Sequence, residues 1–301
     1  MVQPNWRIAA PLLVITAGMC WGLIALFSNV LADAGFSSVQ ITLVRCGFSA
    51  AVLALFLAIT NRKAFRFALH DIWMFLGSGI ISIAFFNVCY FTCIQQCSLS
   101  LAAILLYTAP CFVVLLSAVL FKERLTTQKL VALVLAFGGC VLVVGVGTGG
   151  LAGNVFGVLA GLGSGIGYAL YSIFGRFSLR HYSPITLMFY TFFFATLALL
   201  PLAQVGEMAS LTLAHINIVP AMIALVLVST ITPFACYTTG LSHMEAGKAS
   251  IMAFVEPMVA VLLGVFVFGD VLNVLNVCGI VLIVGAVLLL NMPLAPKQEQ
   301  A

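Results

Sequence analysis

Glu256, in "FVEPMVAVLLG", is an acid embedded in an apolar run. If that run crosses a membrane, an ionised carboxylate there costs several kcal/mol unless it is paired, hydrated or protonated. Such an acid can contact a solute amine or carry a proton. The structural alternatives are a pairing with Arg45, or a role in closing the backbone gap left by Pro257. Arg45, in "LVRCGFSA", sits inside another apolar run, about 10 Å from one end of it. It reads as a structural charge on a peripheral helix that snorkels outward, with anion contact as the alternative. Pro110 and Pro257 each remove a backbone hydrogen bond in mid-run, and both are read as hinges. Trp21, Asn87, Tyr90, Tyr107, Tyr168, Tyr171, Thr232 and Tyr237 add amphipathic faces, with Asn87–Tyr90 and Thr232–Tyr237 as the better polar–aromatic pairs. That set suits a small amphipathic solute better than an inorganic ion.

Other residue patterns imply less. "GVGTGG" from Gly145 matches a nucleotide-binding spacing but follows an apolar helix and opens no strand–helix unit. Cys89, Cys93 and Cys97 share one helix face, where they pack as small apolar side chains; neither a metal nor a disulfide framework is expected from the nine cysteines. His70, His181, His215 and His243 fall in loops or near helix ends, so no catalytic constellation forms and no enzyme or cofactor is expected. Glu123 and Asp270, at helix junctions, read as caps and turn-formers with a structural charge.

The elements that carry these residues follow from composition. Only 7% of the residues are charged and 63% are hydrophobic, more apolar surface than a 301-residue globule can bury. The excess must face lipid, and lipid-facing backbone must be helical. Ten spanning helices are expected at 8–31, 38–60, 72–95, 99–121, 129–147, 155–177, 184–205, 218–242, 248–268 and 272–291, an all-α membrane fold. Short turn-forming stretches such as "NRKAFRFALHD" and "GEMASLTLAHIN" join them. With that count, Arg7, Arg62, Lys63, Arg66, Lys122, Arg124, Lys129, Arg176, Arg180, Lys248 and Lys297 all fall on one side. The positive-inside rule makes that side cytoplasmic and puts both termini there. "LADAG" resembles a signal-peptide cleavage site, but the first helix is expected to stay, since its counterpart recurs later.

That recurrence is the organising feature. "CYFTCIQQCSLSLAAILLYTAP" from Cys89 returns as "CYTTGLSHMEAGKASIMAFVEP" from Cys236, 147 positions on, and "AGMCWG" echoes "AGLGSG". Three glycine pairs spaced by four in the sixth helix, through Gly157, Gly161, Gly163, Gly165 and Gly167, mark close helix contact. Five helices per copy is an odd number, so the copies enter the membrane from opposite sides. The expected units are 1–147, a Gly-rich linker 148–154, 155–292 and a cytoplasmic tail 293–301. Such inverted repeats exchange two states around a midplane site, the plan of secondary transporters.

Trp21-Gly22, "LVRCGFSA", the Ala-rich start of the fourth helix leading to Pro110, "FKERL", and "FVEPMVAVLLG" followed by "FGDVL" together resemble the EamA-type family of the drug/metabolite transporter superfamily, across nearly the whole chain. Asp270 stands where the family usually has Glu, and Ala132 where Gly is common. The resemblance implies a central cavity lined by the first, third, fourth, sixth, eighth and ninth helices. It implies an exporter of amino acids or similar small amphipathic metabolites, with multidrug or nucleotide-precursor efflux, or uncoupled facilitation, as the alternative. A receptor or an intramembrane enzyme is the alternative outside transport. The implied setting is a bacterial inner membrane. The partners are a solute, the bilayer and protons as coupling ion, a homodimer being left open, with no nucleic acid.

Overall fold

The computed structural model describes residues 5–144, 154–269, 271 and 273–292. Ten helices in it are long and apolar enough to cross a membrane: α1 (Trp6–Asp33), α2 (Ser38–Thr60), α3 (Leu69–Gln96), α4 (Leu99–Phe121), α5 (Thr127–Val144), α6 (Val155–Ser178), α7 (Pro184–Leu202), α8 (Ile216–His243), α9 (Ala246–Val267) and α10 (Val274–Asn291). Capping residues set several starts. Ser37 and Gln40 form a reciprocal capping box at α2, Asn273 and Asn276 do so at α10, and Ser98, Asn154 and Ser183 accept from backbone N–H groups at α4, α6 and α7. Asp270, Lys297, the tail 293–301 and all of the linker 148–154 except Asn154 lie outside the described residues.

One stretch expected as a turn is a helix. Val205–Ala214, overlapping "GEMASLTLAHIN", places Met208 and Leu211 against a small apolar cluster around Leu31, Phe36, Ile218 and Leu225. Its Glu207 accepts a 2.8 Å hydrogen bond from Gln40 Nε2. The hydrophobic spacing of three outweighs its polar composition.

The duplication is legible in the irregularities of the helices. α3 holds a π-helical stretch at Gly77–Phe85 and α8 one at Leu227–Ile231. In both, a hydroxyl bonds five residues back: Ser82 to the Gly77 carbonyl and Thr230 to the Leu225 carbonyl. Such insertions widen a turn and shift which residues face inward. α4 breaks after Leu106 and resumes at Ala109, and α9 breaks after Met252 and resumes at Val255.

The breaks correct the expectation for the prolines. Pro110 and Pro257 do not kink continuous helices. They occupy the first turn of the second half-helix in α4 and α9, where no intrahelical N–H partner is needed.

The repeats interlock. α1 packs against α8 and α9 of the second repeat, and α6 against α3 and α4 of the first; α2 meets α7 and α5 meets α10. Glycine permits the closest approaches. A Cβ on Gly18 would stand 3.1 Å from the Ala253 carbonyl at the α9 break, and one on Gly165 would stand 2.7 Å from the Leu105 carbonyl at the α4 break. These contacts pair Gly18 with Gly165, one helical turn beyond the Gly161 that the sequence echo aligns with it. Cys89, Cys93 and Cys97 lie against Gly163, Gly161 and Gly157, so their stripe is the α3 side of the α3–α6 contact.

Candidate functional site

α9 restarts within the bundle at Val255, so Glu256 stands in the first turn of a new half-helix about midway through the span. Free N–H groups at a helix start favour a nearby negative charge. Gly22 of α1 lets the chains meet there: a Cβ would lie 2.9 Å from the Glu256 carbonyl and 2.7 Å from Val259. Tyr168 of α6 donates its hydroxyl to Glu256 Oε2 at 3.3 Å.

Glu256 faces a cavity of about 470 Å³. The cavity wall brings together Trp21, Asn87, Tyr90, Tyr107, Tyr168, Tyr171 and Tyr237 of the expected set, with Pro110. The aromatic side is rigid. Trp21 packs edge-on to Phe234 at 5.4 Å and against Tyr237 at 5.3 Å. Tyr171 and Tyr237 spend their hydroxyls on Thr238 and Ser172, both at 2.7 Å. Asn87 donates to the Ile83 carbonyl and accepts from Thr42 at 3.2 Å.

Two expected members are elsewhere. Thr232 is exposed on the outer face of α8 and is no part of the wall; Thr230, about two turns before Tyr237, faces the cavity instead. Pro257 is buried beside the cavity without lining it.

Arg45 requires the larger correction. It is not an outward-snorkelling anchor, because this side chain lies on the cavity wall and bonds to α8 of the other repeat. Arg45 Nε donates to Thr230 Oγ1 at 3.0 Å. It makes no ion pair with Glu256, although the two line the same space. Thr42, one turn before Arg45, and Thr230 were the available clues to an inward face on α2 and α8, and neither stands out by composition.

The cavity extends from Glu256 and Tyr107 to Asn29, Ala32, Ser38 and Leu99, which lie at the end of the bundle opposite the clustered basic residues. The basic end is closed by a contact between repeats. Lys122 takes a left-handed conformation at φ 57° and ends α4, so that Glu123 reaches the start of α9. Its Oε1 accepts from Ala246 N–H at 2.7 Å and its Oε2 from Gly247 N–H at 3.2 Å. Glu123 is thus the cap expected of it, but of a helix in the other repeat. Lys129 Nζ is buried between Glu245 Oε2 at 2.9 Å and Glu123 Oε2 at 3.5 Å, as an ion pair off hydrogen-bonding alignment.

Ten spans in interlocked inverted repeats, enclosing an aromatic cavity with a few polar groups on its wall, define a multi-pass membrane protein of the transporter class. The family model described as the EamA-like transporter family matches residues 8–145 and again 155–292, and the chain belongs to that family. An uncharacterized transporter of Archaeoglobus fulgidus is 28% identical over 281 residues, covering 92% of this chain and 94% of its own. The uncharacterized transporter YdfC of Bacillus subtilis is 24% identical over 254 residues, covering 84% and 81%. A crystal structure at 20% identity shares the fold, with a TM-score of 0.75 over 93% of this chain and 95% of its own.

Proposed function

We propose that the protein exports amino acids or similar small amphipathic metabolites by alternating access, with both termini in the cytoplasm of a bacterial cell and the bundle in its inner membrane. The observation that supports this most is a carboxylate at mid-span, Glu256, on the wall of an aromatic cavity sized for a small solute. Its role is to hold a solute ammonium or to exchange that solute for a proton. Ammonium groups also suit the tyrosine and tryptophan faces around it. If the basic end is cytoplasmic, the conformation described is closed to the cytoplasm at Glu123 and open outward. The breaks in α4 and α9 supply flexible points at equivalent places in the two repeats, so opening one end can accompany closing the other.

Efflux of nucleotide precursors fits this wall less well. Among the described residues, Arg45 is the one basic side chain lining it, and Glu256 would repel a phosphate. The test is reconstitution into liposomes loaded with a pool of amino acids and metabolites, with and without a pH gradient, identifying what crosses by mass spectrometry. Gradient-sensitive movement of amino acids supports the reading. No amino acid movement by folded protein, with drug-like or nucleotide compounds crossing instead, refutes it.

A further inference from the structure

Arg45 is the charge that the proposed amine contact leaves unused. It stands within the membrane-spanning part of α2, where an unpaired guanidinium is expensive, and no carboxylate lies within 4.0 Å of it. Its one protein hydrogen bond is from Nε to Thr230 Oγ1, which itself donates to the Leu225 carbonyl. That bond occupies Nε and leaves the terminal nitrogens without a hydrogen bond to the protein, on a residue that lines the cavity. A planar fork with its inner nitrogen tethered is suited to a carboxylate held through two parallel hydrogen bonds, which a lysine ammonium cannot make. The cavity therefore carries one positive and one negative group, unpaired with each other, on an otherwise uncharged aromatic and hydroxyl wall.

We propose that Arg45 is the specificity-determining residue that reads a solute carboxylate while Glu256 reads its ammonium, so that the site selects zwitterions over amines or acids alone. The inference rests on the transport reading above and narrows it. A free amine leaves Arg45 uncompensated and a free acid leaves Glu256 so. A zwitterion neutralises both and adds no net charge to the membrane interior. Thr42 and Asn87, already hydrogen-bonded to one another, flank the same wall and keep its polar side ordered.

The experiment measures binding to purified wild type, Arg45→Gln and Arg45→Lys. The probes are leucine, 3-methylbutylamine, which lacks the carboxylate, and 4-methylpentanoate, which lacks the amine. Wild type is expected to bind leucine at least tenfold more tightly than either analogue. Arg45→Gln should weaken leucine by roughly tenfold to a hundredfold, the range for losing hydrogen bonds to a charged group. It should bind the amine more tightly than wild type does, since the uncompensated cation is gone, and Arg45→Lys should recover only part of the leucine loss. A merely structural arginine would weaken leucine and amine alike, and that result overturns the proposal. So does equal wild-type affinity for leucine and amine, which leaves the transport reading intact. Failure of wild type to bind leucine or any other amino acid, while it moves unrelated solutes, overturns the substrate reading and this inference with it.

Discussion

Removing the Glu123 carboxylate should open the basic end of the bundle. In the closed state Glu123 accepts from two backbone N–H groups at the start of α9 and lies 3.5 Å from the buried ammonium of Lys129. Hydrogen bonds to a charged group contribute about 1.5–3 kcal/mol each. In the open state water replaces them, so Glu123→Ala penalises the closed state selectively. Losing the pair, with part recovered by local hydration, amounts to about 3 kcal/mol, or roughly a hundredfold in the closed-to-open ratio. Ser117 reports the change. It is fully buried behind the contact, and a Cβ on Gly247 would stand 3.4 Å from its hydroxyl. With the native cysteines replaced and Ser117→Cys introduced, a membrane-impermeant maleimide applied from the basic side should react about a hundredfold faster in Glu123→Ala. Glu123→Gln keeps one acceptor and should fall between. Equal labelling rates in all three, with equal thermal stability, would mean that Glu123 does not hold this end shut.

Three further perturbations separate the parts of the site. Glu256→Gln should remove gradient dependence or selectivity for amine-bearing solutes while leaving the melting temperature in place; transport with unchanged pH dependence sinks the assigned role. Pro110→Ala and Pro257→Ala restore an N–H just past each break and let the half-helices fuse, so turnover should fall several-fold while solute affinity stays within about twofold. Wild-type turnover in both would leave the breaks without a part in gating. Thr230→Val removes the tether on Arg45 and should weaken leucine several-fold, whereas Thr232→Val, on the outer face of α8, should change nothing; the opposite order would mean that the inward register of α8 is wrong.

The helix count and the repeat are readable from sequence because both are properties of long segments. Ten apolar runs separated by short polar stretches survive an error of a few residues at any one end, as the match of 248–268 to Ala246–Val267 illustrates. Side-chain direction has to be worked from the helical angle, not from proximity in sequence. Thr232 and Tyr237, five residues apart, point about 140° away from each other in the regular helix Thr232–Leu241, whereas Thr230, about two turns before Tyr237, shares its face and lines the cavity with it. Arg45 is hidden from sequence for a different reason. Its own segment shows a basic residue in an apolar helix, and only its partner Thr230, 185 residues further along the chain, shows that the side chain faces the cavity. Glu123 could be recognised as a cap, yet the helix it caps starts more than a hundred residues later.

The two cavity charges break the symmetry that the scaffold keeps. α4 and α9 share a break and a proline, but where α9 carries Glu256, α4 carries Ala109. α2 and α7 are likewise counterparts, and the segment Pro184–Leu202 has no charged residue to match Arg45. Symmetry serves the exchange of conformations, since two copies of one packing scheme can adopt each other's arrangement. A solute has no such symmetry, so its recognition has to be written once. Here the cation comes from the first repeat and the anion from the second. A zwitterion bound between them bridges the two halves, and any rocking of one repeat against the other changes the Arg45–Glu256 separation. The same movement that opens an end of the bundle would therefore alter solute affinity, which is the coupling between conformation and binding that alternating access requires.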